Sequence, residues 1–266
     1  MILKKFEELT ISDNFMFQKV MQDADICKEF IEKLLHINIK TVNYIESEKT
    51  INLNVKGKGI RLDVYVETDD GRIIDIEMQT SKENQDFGKR TRYYQGLIDL
   101  NTLNKGESYR KLKESCIIFV CTFDPFDRSR MMYTFRNACV EDSELNLNDG
   151  TTKIFLNATG KIGNLDSDIE SFLRYVNSGN VRGEFTNRVD EKLRELKERE
   201  EIGVEYMTFD MMLQDAVDDG MFKKELDNLR RLMKKMNMTL EEAMDFSDIP
   251  EDERSKYVAA LQKDFQ

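Results

Sequence analysis

The stretch from Ile60 to Thr80 reads IRLDVYVETDDGRIIDIEMQT, and its two alternating runs flank an Asp69-Asp70-Gly71 turn. In the first run Leu62, Val64 and Val66 share one face, opposite Asp63, Tyr65 and Glu67. In the second, Ile74, Ile76 and Met78 oppose Asp75, Glu77 and Gln79. Side chains alternate across a strand, so the pattern predicts a hairpin with one apolar and one acidic face. A three-residue loop with Gly71 in the left-handed position pairs Thr68 with Arg72 and puts Asp63 opposite Glu77. A two-residue loop pairs Asp63 with Met78 and mixes the faces, which the pattern disfavours. Like charges directly opposite on a sheet destabilise it. A divalent cation between them removes that cost, and oxygen ligands suit Mg²⁺. The hairpin therefore points to a metal-dependent hydrolytic site; a polar sheet face turned to water is the plainer alternative.

Around this hairpin the pattern predicts a helix over 13–36 and short strands within Val42–Glu46 and Thr50–Val55. A helix follows from about Phe87 to Leu103. Ser115–Thr122 reads as a central strand, and Met132–Ala138 and Lys153–Asn157 as further strands. From about Ser167 the chain turns helical, over 167–178, 185–201, 205–219, 221–236, 239–246 and 250–262. The order implies an α+β domain over 1–180, a mixed sheet with flanking helices, and an all-helical extension over 181–266. RVDEKLRELKEREE, with alternating charge and few apolar positions, reads as an exposed connecting helix. Thr239 and Glu242 form a capping box. The last two helices look like a degenerate helix-turn-helix, but Glu251, Asp252 and Glu253 at the start of the second repel phosphates.

The 266 residues carry a net charge of −11, which opposes simple nucleic-acid binding. The acidity is uneven: −7 falls after residue 180 and −4 before it, and Lys82–Lys113 is locally positive. A basic helix directly after an acidic metal site suits a phosphate backbone, with a solvated helix face as the plainer alternative. Cys27, Cys116, Cys121 and Cys139 show no C-x-x-C spacing and are read as free thiols in a reducing cytoplasm. The single His36 argues against zinc catalysis and against a Ser-His-Asp triad. We expect no signal peptide and no membrane span.

SDNFMF near residue 12, RLDVYVET with IDIEMQ, RTRYYQ, CIIFVCTFDPF and the charged helical tail resemble the PD-(D/E)XK nuclease superfamily. The resemblance is to its Rpn-like recombination-promoting nucleases, or PD-(D/E)XK nuclease family transposases, and covers most of the chain. It implies a restriction-endonuclease-like fold and a Mg²⁺-dependent DNA endonuclease of mobile-element type, with Mn²⁺ as a substitute. The alternative is a catalytically inactive relative that binds DNA or protein. The resemblance makes Asp63 the motif's Asp and Glu77 its Glu, with Gln79 at the usual Lys position. Asp63 and Glu77 then hold the metal, and Gln79 orients the attacking water. Asp13 resembles an auxiliary metal-binding acid, with a helix N-cap as its alternative. Tyr94 and Gln95 resemble residues that contact metal-bound water or phosphate, and Arg90 and Arg92 are candidate phosphate contacts. Asp75, two residues from Glu77, is set aside as structural. The C-terminal helices suit a homodimer, which places two sites on one duplex.

Overall fold

The computed structural model of the chain describes residues 4–51, 59–83 and 86–263. It divides into two compact units, residues 1–202 and 203–266.

The first unit opens with α1 (Asn14–Met21) and α2 (Ala24–Leu35), followed by β1 (Val42–Ile51), β2 (Ile60–Thr68) and β3 (Ile73–Gln79). Then come α3 (Phe87–Thr102), β4 (Ser115–Cys121), β5 (Met132–Phe135), β6 (Thr151–Asn157), α4 (Ser167–Ser178) and α5 (Glu184–Glu198). Among the described residues the strands form one sheet in the order β1-β2-β3-β4-β6-β5. The β1, β2 and β3 pairings are antiparallel, β3-β4-β6 is parallel, and β5 returns antiparallel to β6. This mixed sheet with flanking helices is the restriction-endonuclease-like α+β fold.

The hairpin loop has the expected form. The Thr68 N–H donates to the Arg72 carbonyl at 3.1 Å, and Gly71 takes φ +85°. Most of the hairpin is removed from water on both faces, however: β3 is buried along its whole length, and Asp63 with it, while Arg61 is exposed and Glu67 half-buried. On one face, Tyr65, Ile117, Phe119 and Phe155 pack beneath Phe87, Tyr94, Leu97 and Ile98 of α3. Phe119 and Phe155 stack at 5.1 Å, and Phe87 meets each ring edge-on at 5.7 Å. On the other face the end of α2, with Leu34 and Leu35, borders a groove of about 370 Å³ floored by Ile74, Cys116 and Ile154. Cys116 and Cys121 thus lie on opposite faces of β4. All four cysteines are free, and burial pushes the thiols of Cys27, Cys116 and Cys121 up to about 12.

The expected helix over 13–36 is two helices. The chain breaks at Gln22–Asp23, where the Asp23 carboxylate accepts the Asp25 and Ile26 N–H groups at 3.2 Å and starts α2 afresh. The two short strands expected before the hairpin are the single β1; residues 52–55 of the second lie outside the described residues. The boundary expected at 180/181 falls instead at 202/203. The reason is α5, read from its charges as an exposed connector. Its sparse apolar residues, Phe185, Val189, Leu193 and Leu196, share one face and are buried where α5 packs on α1, α2 and α4.

The second unit is dominated by α6 (Glu200–Met236), which enters it from the first and runs 37 residues through Gly220. A chain break was expected there; glycine within a helix costs only about 1 kcal/mol against alanine, and the helix absorbs it. Leu226 and Leu229 of α6 pack with Ala243 and Met244 of α7 (Leu240–Phe246) and Tyr257 and Leu261 of α8 (Glu251–Lys263). The capping box forms: the Glu242 N–H donates to the Thr239 hydroxyl at 3.2 Å, and the Thr239 N–H to the Glu242 carboxylate at 2.7 Å.

A chain ending at residue 202 is expected to fold cooperatively, and one ending at 180 to fail. The shorter chain loses four buried α5 side chains, about 6–12 kcal/mol at roughly 1.5–3 each, comparable to a whole domain's stability. Denaturation of both fragments followed by circular dichroism checks this. Equal stability would mean that α5 is an appendage.

Candidate active site

The antiparallel ladder between β2 and β3 ends at Val64–Ile76, and beyond it the strands fork. Two carboxylates fill the fork. Glu77 Oε1 accepts the Asp63 N–H at 3.1 Å, and Asp63 Oδ2 accepts the Met78 N–H at 3.1 Å. Each acid thus satisfies a backbone donor of the facing strand.

From α1, Gln18 Nε2 donates to Asp63 Oδ1 at 3.0 Å and Asn14 Nδ2 at 3.3 Å. Residues i and i+4 share a helix face, so both amides reach one oxygen. From the first turn of α3, Arg90 spans the rest. Nη2 donates to Glu77 Oε2 at 2.5 Å, Nη1 to Gln79 Oε1 at 2.7 Å and Nε to the Tyr94 hydroxyl at 2.9 Å. Gln79 turns its own amide N–H back to the Met78 carbonyl at 2.9 Å.

Asp63, Asp75, Glu77 and Gln79 are all buried, and Asp75 and Glu77 have no exposed surface. Burial raises the Glu77 pKa to about 8, with the charge of Asp63 adding to it and Arg90 opposing it. Burial also raises Asp63, against its bonds from Met78, Asn14 and Gln18. Asp75 is raised well above the carboxylate range by burial and by the charges of Glu77 and Asp63. Neither of its oxygens has a hydrogen-bond partner among the described residues. Burial, then the Glu77 charge, raises the Tyr94 hydroxyl as well, so it keeps its proton.

Asp63, Glu77, Gln79, Arg90 and Tyr94 therefore converge. Arg92 is exposed on α3. Gln95 is buried and points elsewhere, its amide donating to Asp99 at 2.9 Å and to Ser115 at 2.7 Å. Ser115 lies at the end of β4 opposite Cys121, which pairs with Gln79. Asp13 sits at the start of α1 without capping it. Its carboxylate accepts from Lys4 at 2.8 Å and from the Thr10 N–H at 2.7 Å. Asn14 and Gln18 were not among the expected site residues, although their four-residue spacing on an expected helix is a usable signal. Asp75, expected to be structural, gains its weight from burial of the polar face.

A profile for "PD-(D/E)XK nuclease family transposase" matches residues 14–167, from the first residue of α1 to the first of α4. The chain belongs to this family. No curated protein and no solved structure matches it. Nucleases of this family generally use divalent metal ions, and the fork suits one in donor type: its carboxylates are hard oxygen donors, and the charge of Asp63 raises the Glu77 pKa. Among the described residues, no three Asp, Glu, His or Cys converge as a metal-holding group. Two carboxylates with water and phosphate is the usual Mg²⁺ arrangement.

The site sets a pH dependence of stability. A carboxyl whose folded pKa exceeds its unfolded value stabilises the fold below the unfolded value, and that stability is lost as pH rises through the folded one. For Glu77 the window runs from about 4.5 to about 8, and Asp63 and Asp75 act in the same direction. Asp124 and Asp149, whose pKa values are lowered, contribute with the opposite sign below that window. In EDTA the protein should lose about 2–5 kcal/mol between pH 5 and 8, and Asp75→Asn should flatten the slope. Urea denaturation at several pH values measures this, and a rise in stability over the window would contradict the charge assignment.

Proposed function

We propose that this chain is a metal-dependent DNA endonuclease that hydrolyses phosphodiester bonds, with Asp63, Glu77, Gln79 and Arg90 as its working set. The observation that carries the reading is the buried carboxylate pair at a strand fork, faced by the Arg90 guanidinium. Asp63 and Glu77 are the residues to hold Mg²⁺, or Mn²⁺ in its place, which supplies charge stabilisation to the phosphate and lowers the pKa of an attacking water.

The chain's own groups then have distinct tasks. Asn14, Gln18 and the Met78 N–H fix the Asp63 carboxylate, and the Asp63 N–H fixes Glu77. Gln79 is a neutral donor and acceptor where the superfamily's pattern has a lysine, and it orients water. The positive charge at the site comes from Arg90, which reaches both Glu77 and Gln79 from the neighbouring helix. A guanidinium there is a hydrogen-bond donor for the non-bridging oxygens, on which charge builds as water adds to phosphorus. Tyr94 keeps its proton and is a neutral donor beside it. One P–O ester bond breaks, leaving a hydroxyl end and a phosphate monoester end. Asp13 and Arg92 stay candidates for metal or phosphate contacts that form only when the substrate is present, whereas Gln95 is held by Asp99 and Ser115 away from the fork.

Cleavage that frees DNA ends suits recombination promoted by a mobile element. Among the described residues no helix is long and apolar enough to cross a membrane. Action on DNA together with free thiols fits the cytoplasm. The second unit exposes Val204, Met207, Met211 and Met212 on α6, an apolar surface that suits a second copy of the chain. Sedimentation should then show a dimer at micromolar concentration, and a monomer would remove that assignment.

The deciding experiment is nicking of supercoiled plasmid in Mg²⁺, Mn²⁺ or EDTA. Wild type should cut only with metal, and Asp63→Ala and Glu77→Ala should abolish cutting. Arg90→Ala should lower the rate by about 10²–10³, as loss of one transition-state donor does. Folded wild type that is silent in every metal would favour the inactive, binding-only relative. Equal cutting by wild type and Asp63→Ala would move the site elsewhere.

A further inference from the structure

The loop after β4 and the turn after β6 are joined into one rigid element at the Gln79 end of the sheet. The Thr122 N–H donates to the Gln79 carbonyl at 3.0 Å, so the first loop begins beside the last residue of β3. Lys82, just beyond β3, pairs with Asp127 of the same loop at 2.6 Å. Inside the loop, the Asp124 carboxylate accepts the N–H groups of Phe126, Asp127 and Ser129 and the Tyr133 hydroxyl, at 2.6–3.1 Å. The same hydroxyl accepts the Arg128 and Arg130 N–H groups at 3.2 Å. This network holds Asp127 and Ser129 at φ +56°, a left-handed conformation that few non-glycine residues adopt.

The β6 turn locks onto this loop. The Ser129 carbonyl accepts the Lys161 and Ile162 N–H groups at 2.8 and 2.9 Å. Gly160 makes the approach possible, since a Cβ there would stand 2.5 Å from Met131 Cα and 2.7 Å from the Arg130 carbonyl oxygen. Arg128, Arg130 and Lys161 are all exposed, and their side chains have no hydrogen bond or ion pair among the described residues. The acids of the loop are already engaged, Asp124 by four donors and Asp127 by Lys82. Backbone strain, a buried tyrosine and a glycine contact thus hold three unneutralised cations in place within an acidic protein.

We propose that Arg128, Arg130 and Lys161 form a phosphate-backbone clamp that holds duplex DNA beyond the scissile bond. This rests on the nuclease reading of the fork for its ligand, and on loop geometry and charge for its place. Unpaired cations on a fixed frame bind phosphates without reading sequence, and they give the salt-dependent affinity that counterion release produces.

The test is equilibrium binding of a short labelled duplex in EDTA at several salt concentrations. Replacing the three residues together (R128A/R130A/K161A) should weaken binding about tenfold or more at low salt. It should also reduce the slope of log K against log salt by about two to three. The charge-keeping pair R128K/R130K should retain the wild-type slope. G160A, which forces the two loops apart, should reduce the slope with every charge still present. A triple variant that binds like wild type, a lysine pair that loses as much as the alanines, or a wild type that binds no duplex would each overturn the clamp. Plasmid cleavage separates this from the reading of the fork. Loop-dependent binding with no cutting in any metal sinks the nuclease and leaves the clamp; metal-dependent cutting with unchanged binding in the triple variant does the reverse.

Discussion

Three carboxylates share the buried interior of one hairpin, and among the described residues the cation bonded there is the Arg90 guanidinium, on Glu77. Removing a carboxylate from water costs several kcal/mol unless protons, partners or cations offset it. Much of the first unit is organised around that cost. The strands fork so that Glu77 takes the Asp63 N–H and Asp63 takes the Met78 N–H. α1 begins where Asn14 and Gln18 reach Asp63, and α3 begins where Arg90 reaches Glu77 and Gln79. The aromatic cluster under α3 excludes water, which strengthens every charge interaction at the fork. Asp75 has no such compensation, and its unpartnered oxygens mark where the site is strained toward gaining a proton or a cation.

The hairpin was legible because its alternation admits one register, and the Asp-Asp-Gly loop confirms that register from its own chemistry. The sheet strands and most of the helices followed from periodicity in the same way. What alternation could not reveal was burial of the polar face. A strand with acids on every second position looks half-exposed until the aromatic helix that covers it is placed. α5 misled for the converse reason: four apolar residues in fifteen are enough to bury a helix when they share a face, and charge density hides them. The continuity of α6 through Asp218, Asp219 and Gly220, all exposed, shows instead that a long helix tolerates one glycine at modest cost.

Of the candidate site, the motif residues were readable and their support was not. Arg90 was expected to touch phosphate, and in the protein it bonds Glu77 and Gln79. That gives the glutamine at position 79 a physical explanation: with a cation delivered from the adjacent helix, the strand position need not carry one. Asn14 and Gln18 were within reach of a spacing argument. The fixed cations on the β4 and β6 loops were not, because nothing in the sequence joins Arg130 to Lys161 except the close approach at Gly160.

The fork also changes what the backbone reports. The amide protons of Asp63 and Met78 are held by side-chain oxygens, where a regular sheet would use a neighbouring strand. Their exchange with solvent deuterium is therefore coupled to the ionisation of two acids as well as to opening of the strands. Val64 and Ile76, one step away inside the paired region, exchange by the ordinary route. Two neighbouring pairs of amides thus give a built-in ratio that tracks the electrostatic state of the fork while cancelling the stability of the fold.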